Sequence, residues 1–331
     1  MAVRVTEPGA EVGTSTALPR FLVRRLGLAL VTLLLVSMMV FAVVQLLPGD
    51  LGRTILGPYA SEEQVSELNE SMGVDDPAPV RYADWLSRFV RGDWGTSAAT
   101  GQPVRPLVLD RLGNSLLLAL YALAIAVPAA VAFGMLAARQ RGRALDAGVS
   151  ATAVSLLAMP EFVVGTILSI VFAVELGWFP VSASAPDDAL SFFHELTLPA
   201  AVLALVLFGS LARVVRAASL DALDADYTRT ASLKGLPERA VLGRHVLPNV
   251  LPPTIAAVGA HVGYLVGGIV VVETLFAYPG LGKLLLDSAT ANDLASLEAC
   301  VLATAIVVMV ANLAADIAAS ALDPRLRRVP A

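Results

Sequence analysis

Cysteine, charge and histidine are all scarce in this 331-residue chain, and each shortage closes a class of function. Cys300 is the only cysteine and lies inside an apolar run, so one chain can build neither a disulfide framework nor a thiolate metal site. The three histidines, His194, His245 and His261, stand far apart without ligand spacing. Lys, Arg, Asp and Glu together make up 15% of the residues. The formal charge of -5 comes with no basic cluster interleaved with aromatics that could track a nucleic-acid backbone, so nucleic acid is not an expected partner. A phosphate loop is missing too. GLGK at Gly280 to Lys283 has Ala277 where the first glycine belongs and Leu284 where Ser or Thr belongs. An intramembrane enzyme would need a Ser/His pair, paired aspartates or H-E-x-x-H at membrane depth, and none is found.

What the chain has instead is apolar length: 56% of its residues are hydrophobic and its mean hydropathy is +0.73. That composition predicts an all-α polytopic membrane protein. Residues 1–25 read as a tail, disordered to Pro19 and then basic with Arg20, Arg24 and Arg25. Residues 26–47 give a first span, about the 20 residues needed to cross a bilayer. The run ends in LLPGD without a small-residue cleavage site, so it is expected to stay as an anchor. Residues 48–114 form the longest polar region, an external segment. Within it Ser61 to Gln64 has the form of a capping box opening a helix that Gly73 ends, and Val80, Trp85, Phe89 and Val90 predict a second amphipathic helix. Five more spans follow within 115–322: Ser115 to Ala137 with Pro128 inside, Gly148 to Leu176 with Pro160 and Glu161 kinking or shortening it, Thr197 to Leu211, Val250 to Val272, and Leu297 to Leu322. Residues 323–331 are a short end.

Charge orients these spans. Lys and Arg outnumber Asp and Glu by 4 to 2 in the tail, 3 to 1 in the 138–147 loop, 6 to 4 in the 213–249 loop and 3 to 1 after Leu322. The alternate segments are acidic: 48–114 holds 6 against 10, and 177–196 has no Lys or Arg. The positive-inside rule therefore places both termini and the 213–249 loop in the cytoplasm of a cell membrane.

Within that loop, the stretch from Ser219 to Pro253 is polar inside an apolar protein. Leu220, Leu223, Tyr227, Thr230 or Ala231, and Lys234 recur at three- and four-residue steps and predict one short amphipathic helix. Gly235 stands where a left-handed residue closes a helix, Pro237 is expected at the first position of the next helix with Glu238 in its first turn, and Leu247 with Pro248 should end it.

Helix, glycine turn, helix with this spacing resembles the EAA loop of the membrane subunits of binding-protein-dependent ABC importers. Arg229, Thr230 and Ala231 fall at the E-A-A positions, Gly235 at the glycine, His245 at the isoleucine, and Leu247 with Pro248 at the closing Leu-Pro. DYTRTASLKGL followed by RHVLPN is more similar to the dipeptide/oligopeptide/nickel branch, which reads DYVRTARAKGL and RHALRN, with Ser232 and Leu233 departing from it. PGD at Pro48 to Asp50, GDWGTS at Gly92 to Ser97, the following Pro103 and Val104, VVVETLF running into YPGLGKLL, and DPRLR at Asp323 to Arg327 resemble the same branch in constant order. The resemblance implies a six-span permease subunit of the type I importer kind for peptides or related solutes. Its implied partners are a homologous second permease, two ATP-binding subunits and an external substrate-binding protein. No cofactor would bind this chain, ATP being held by the partner subunits. The implied ATPase-coupling residues are Asp226, Tyr227, Arg229, Thr230, Ala231, Lys234 and Gly235.

Helix packing or the translocation path has its own candidates. Gly259, Gly263 and Gly267 recur every four residues along the fifth span, a spacing that allows close helix approach in lipid. His261 lies mid-span on another face, and Asn312 and Asp316, at i and i+4 of the last span, resemble the family's N-x-x-x-D and favour interhelical hydrogen bonding. Glu161 and Glu273 lie near span breaks or ends, where capping or snorkelling accounts for them. The alternative function is a secondary transporter or channel driven by an ion gradient, which should show inverted repeats, helices broken in paired positions or a relay of membrane carboxylates; of these the sequence offers Asp316 alone well inside a span.

Overall fold

A computed structural model describes residues 17–46, 59–64, 66, 77–185 and 188–322. The expected disorder before Ala17, PGD at 48–50, the helix end at Gly73 and DPRLR at 323–327 lie outside the described residues.

Helix α1 is Ala17–Leu46 and α2 is Ala78–Arg91. After them come α3, Val104–Arg139, and α4, Ala144–Ala158. Helix α5, Glu161–Leu168, continues as a π-helical segment, Ser169–Glu175. The next two are α6, Ala189–Asp224, and α7, Asp226–Leu233. Helix α8, Glu238–Val241, runs through π-helical Leu242–Val246 into α9, Leu247–Ala260. The last three are α10, Val262–Leu275, α11, Leu281–Thr290, and α12, Leu294–Leu322. Among the described residues, stretches of α1, α3, α6 and α12 are long and apolar enough to cross a membrane, and two bent pairs raise the number to as many as six. The pairs are α4 with α5, bent by 109°, and α8–α9 with α10, bent by 54°. Pro160 makes the first bend: it and Met159 before it are extended, at ψ 146° and 127°, because a proline ring excludes the helical region for the residue it follows.

Several helix ends differ from the hydropathy boundaries. Residues 17–25, grouped with the tail by composition, are the first turns of α1; Pro19 sits among N–H groups that have no intrahelical partner anyway. Helix α3 begins eleven residues before Ser115, and α6 extends the expected fourth span at both ends, so residues 213–224 are helix rather than loop. In α2 the inward face is Tyr82, Trp85 and Phe89, stepping from Phe41 of α1 towards Trp94, while Val80 and Val90 are exposed. The Ser61 capping box is present: Gln64 N–H donates to Ser61 Oγ at 3.3 Å and Ser61 N–H to Gln64 Oε1 at 3.1 Å. A second box starts α6, where the Ser191 N–H, 2.7 Å from Asp188 Oδ1, holds that carboxyl below its ordinary pKa.

The centre of the bundle is α3 against α6. Leu118, Ala122, Ala126, Ala130, Gly134 and Ala138 form a buried four-residue ridge on α3. At Gly134 a Cβ would stand 2.6 Å from Val215 Cγ1 and 2.9 Å from the Ala212 carbonyl oxygen, so the two backbones touch there. A Cβ at Gly209 of α6 would come as close to the Ala153 carbonyl oxygen of α4, at 2.8 Å, and of the three spaced glycines of the fifth span Gly259 makes such an approach, to Ala315 of α12. Each helix has 36 residues, a length of roughly 54 Å. Both therefore project beyond a hydrocarbon core of about 30 Å.

At the end opposite α7, buried carboxylates hold the chain together. Glu273 is fully buried at the end of α10; Oε1 accepts the Ser115 hydroxyl and Oε2 accepts the Lys283 N–H at 3.0 Å, in the first turn of α11. Gly280 has no room for a Cβ because the carboxylate occupies that place. Ser115 Oγ also accepts the Leu281 N–H at 2.7 Å, and Asn114 donates to the Pro279 carbonyl at 2.9 Å. The YPGLG stretch is thus a helix N-terminus capped by a carboxylate from the preceding span. Asp293 works similarly, capping α12 through Ser296 N–H while accepting Ser97 Oγ at 2.5 Å, which fastens the GDWGTS turn.

Candidate functional sites: the α7 segment and the open face of α10

The chain leaves α6 at Ala225, which is extended at φ -74° and ψ 146°. The single amphipathic helix expected over Leu220 to Lys234 is therefore two pieces, the end of α6 and the separate α7. Thr228 Oγ1 reaches back to the Ala222 carbonyl at 2.6 Å and is buried, as is Ala231, so these two residues anchor α7. The opposite side is free. Asp226, Tyr227, Arg229, Thr230, Lys234 and Gly235 are exposed, and the apolar Leu233 is 80% exposed. Of the seven residues singled out in sequence, Ala231 alone faces inward.

Gly235 closes α7 with φ +78°. Its N–H bonds to the Ser232 carbonyl at 3.0 Å and the Leu236 N–H to Ala231 at 3.3 Å, the paired pattern of a Schellman stop. Pro237 is the N-cap of α8, one position earlier than expected, and Glu238 opens the helix. Leu247 and Pro248 do not end that helix. The π-helical segment directly before them widens the turn that a proline, lacking an N–H, cannot complete, and the helix passes on into α9.

Ion pairs grip this segment from both sides. Arg141 pairs with Asp224 at 3.2 Å just before α7, and Arg139 at the end of α3 donates to Glu238 Oε2 at 2.6 Å just after it. Behind them Arg216 holds Asp146 with two bonds of 2.5 and 2.8 Å, the carboxylate being only 8% exposed. The turn between α3 and α4 thus braces α7 on each flank.

The membrane-depth candidates divide. His261 sits at the break between α9 and α10 rather than on a continuous face. Its Nδ1 donates to the Ala257 carbonyl and its Nε2 meets Ser210 Oγ of α6, both at 2.7 Å, so both ring nitrogens are occupied. Ser210 also lines a groove of about 480 Å³ between α4 and α6, with Ser150, Val154 and Arg213. Gly259 packs on Ala315 of α12, where a Cβ would overlap it, whereas Gly263 and Gly267 have no atom within 4 Å of where a Cβ would stand. The glycine spacing therefore does not describe one packed stripe. Asp316 pairs with Arg25 of α1 at 2.9 Å, an interhelical contact as expected, while Asn312 is exposed and has no hydrogen bond among the described residues. Among the described residues no His, Cys, Asp and Glu group is placed to hold a metal ion.

Sequence comparison completes the picture. Residues 130–328 match the family described as "Binding-protein-dependent transport system inner membrane component", and residues 18–108 match the N-terminal part of such membrane components. The chain is 38% identical over 311 residues to the oligopeptide transport system permease protein AppB of Bacillus subtilis (strain 168), covering 92% of this chain and 98% of that one. A putative peptide transport system permease protein of Brucella abortus (strain 2308) is 36% identical, with coverage of 92% and 98%. The glutathione transport system permease protein GsiC of Escherichia coli O1:K1 / APEC is also 36% identical, with coverage of 93% and 98%. With its all-helical membrane architecture and matches along nearly its whole length, the chain belongs to the inner membrane components of binding-protein-dependent ABC transport systems.

Proposed function

We propose that this chain is one of two homologous permease subunits of an ATP-driven importer for peptides, joined by two ATP-binding subunits and fed by an external binding protein. The α7 segment, Asp226 to Gly235, is the part that the ATP-binding subunits move, and the chain carries no ATPase site of its own. Both termini and α7 face the cytoplasm. One observation carries the coupling role: α7 is anchored by Thr228 and Ala231, braced on both flanks by ion pairs, and otherwise bare, which suits a handle for another polypeptide. The relatives that serve oligopeptide and peptide transport systems support peptides as the solute class. Gly259, His261, Gly263, Gly267, Asn312 and Asp316 belong to the packing or the lining of the path, with Gly263 and Gly267 on its open side. Closure of the ATPases would displace α7 as a rigid body, and with it the end of α6. The reading is tested by purifying the chain alone and with its partners in lipid vesicles. ATP hydrolysis and peptide uptake are expected only for the full assembly, and stoichiometric turnover by the isolated chain would overturn it.

A further inference from the structure

Two tight contacts close the seam between α4 and α6. At one, a Cβ on Gly209 would stand 2.8 Å from the Ala153 carbonyl oxygen, so the backbones touch. At the other, about two turns further along the antiparallel pair, Arg216 grips Asp146. The groove of about 480 Å³ lies beside the seam between these contacts, and Arg213 lines it. Arg213 differs from the arginines around it. Arg139, Arg141 and Arg216 each hold a carboxylate, whereas Arg213 has neither an ion pair nor a hydrogen bond among the described residues. Other unpaired cations on this side, such as Arg143, Arg229 and Lys234, stand in a turn or on α7 and meet solvent. Arg213 instead stands where the apolar stretch of α6 ends, directly after Leu211 and Ala212, in a groove shared with Val154, Val214 and Ala217. A guanidinium at that level calls for a counter-anion.

The same groove opens onto an apolar track. Val154 lines it and is 54% exposed, and Leu157, one turn further from the α7 side, is 43% exposed beside Gly209. Helix α4 carries no charge after Asp146 and packs chiefly on α3 and α6, which suits a helix with its outer side in lipid. Ser210 is already engaged with His261 Nε2, so the charge in the groove is that of Arg213. A carboxylate of a passing solute would satisfy this charge but leave the apolar track bare. A phospholipid fills both, its phosphate on Arg213 and an acyl chain along Val154 and Leu157. We infer that the groove between α4 and α6 is a binding site for an anionic phospholipid of the leaflet on the α7 side. This site does not depend on the importer reading.

The test places the assembled transporter in phosphatidylcholine vesicles that hold a trace of phosphatidylglycerol or of phosphatidylcholine with a photoreactive diazirine in one acyl chain. After irradiation, mass spectrometry of the digested chain should find the phosphatidylglycerol probe on α4 between Val154 and Leu157 about fivefold more often than the phosphatidylcholine probe. Arg213→Gln should erase that preference and Arg213→Lys should keep it, both with a near-normal unfolding midpoint because the side chain is exposed. Equal labelling by the two probes in the unaltered assembly would overturn the proposal, as would a preference that survives Arg213→Gln. Labelling of the isolated chain that vanishes on assembly would show that the second permease covers the groove, and would overturn it too. The solute remains as a rival occupant. If Arg213→Gln slowed uptake of a tripeptide with a free carboxylate but not of its amide, and left lipid labelling unchanged, Arg213 would belong to the path and the lipid site would be rejected.

Discussion

Glu273 caps a helix that begins eight residues after it: its carboxylate accepts the Lys283 N–H at 3.0 Å from the far side of the YPGLG turn. Both the carboxylate and the absence of a side chain at Gly280 are required for that contact. Gly280→Ala should therefore push the carboxylate off its donors, and Glu273→Ala should leave the Ser115 O–H and the Lys283 N–H without their acceptor. Each is expected to lower stability by about 1–3 kcal/mol. Thermal unfolding of the purified chain in detergent measures this, and an unchanged midpoint for both variants would show that the cap is dispensable.

A different result is expected at Gly235. Its φ of +78° disfavours a residue with a Cβ, yet nothing lies within 4 Å of where that atom would stand. The cost is therefore backbone strain alone, roughly 1–2 kcal/mol and more for a β-branched residue. Gly235→Val should reach the membrane at near-normal abundance but lose uptake, because the angle between α7 and α8 changes. Asparagine adopts the left-handed region more readily, so Gly235→Asn should keep much of the activity. Full uptake by Gly235→Val would make the turn incidental to coupling.

The pair behind the α7 brace is structural. Asp146→Asn turns one of the two accepting oxygens of a fork that is largely out of water into an N–H donor and leaves Arg216 without its counter-charge, and should destabilise the fold by roughly 3 kcal/mol. The outer pairs Arg139 with Glu238 and Arg141 with Asp224 are solvent-exposed and should each contribute at most about 1 kcal/mol. Arg139→Glu is thus expected to leave the unfolding midpoint nearly unchanged while reducing ATPase stimulation, and Glu238→Arg on top of it should restore the stimulation. Lack of restoration would separate that contact from coupling.

Orientation can be read with three cysteines at exposed positions, Ser66, Ala185 and Ser232, in a chain whose buried Cys300 has been replaced. An impermeant thiol reagent applied to intact cells should label the first two and spare the third. Labelling of Ser232 from outside would invert the topology.

The sequence carried much of this wherever the cause is local. The stop at Gly235, the break at Pro160 and the Ser61 capping box each depend on a few consecutive residues, and each has the geometry expected of it. The Asp316 contact was legible as a class, although its partner Arg25 lies 291 residues away. What escaped depends on distant neighbours. Nothing near Ala225 announces a break in α6; the bond from Thr228 to Ala222 and the pair with Arg141 hold it. The passage through Pro248 was read as an ending because proline normally stops a helix, and the π-helical turn that absorbs it has no sequence signature. The ridge on α3 was hidden by its own blandness, since alanines in a span are unremarked until the facing helix shows that nothing larger would fit.

That ridge bears on how force could travel. Alanine and glycine have no rotamers, so the α3 side of the contact with α6 has no soft layer that could rearrange under load. A shove delivered to the end of α6 cannot be absorbed by repacking there; α3 must move with it. Since α3 also supplies Ser115 to the Glu273 cap, two helices that each outreach the bilayer form a stiff strut between the α7 handle and the far rim of the protein.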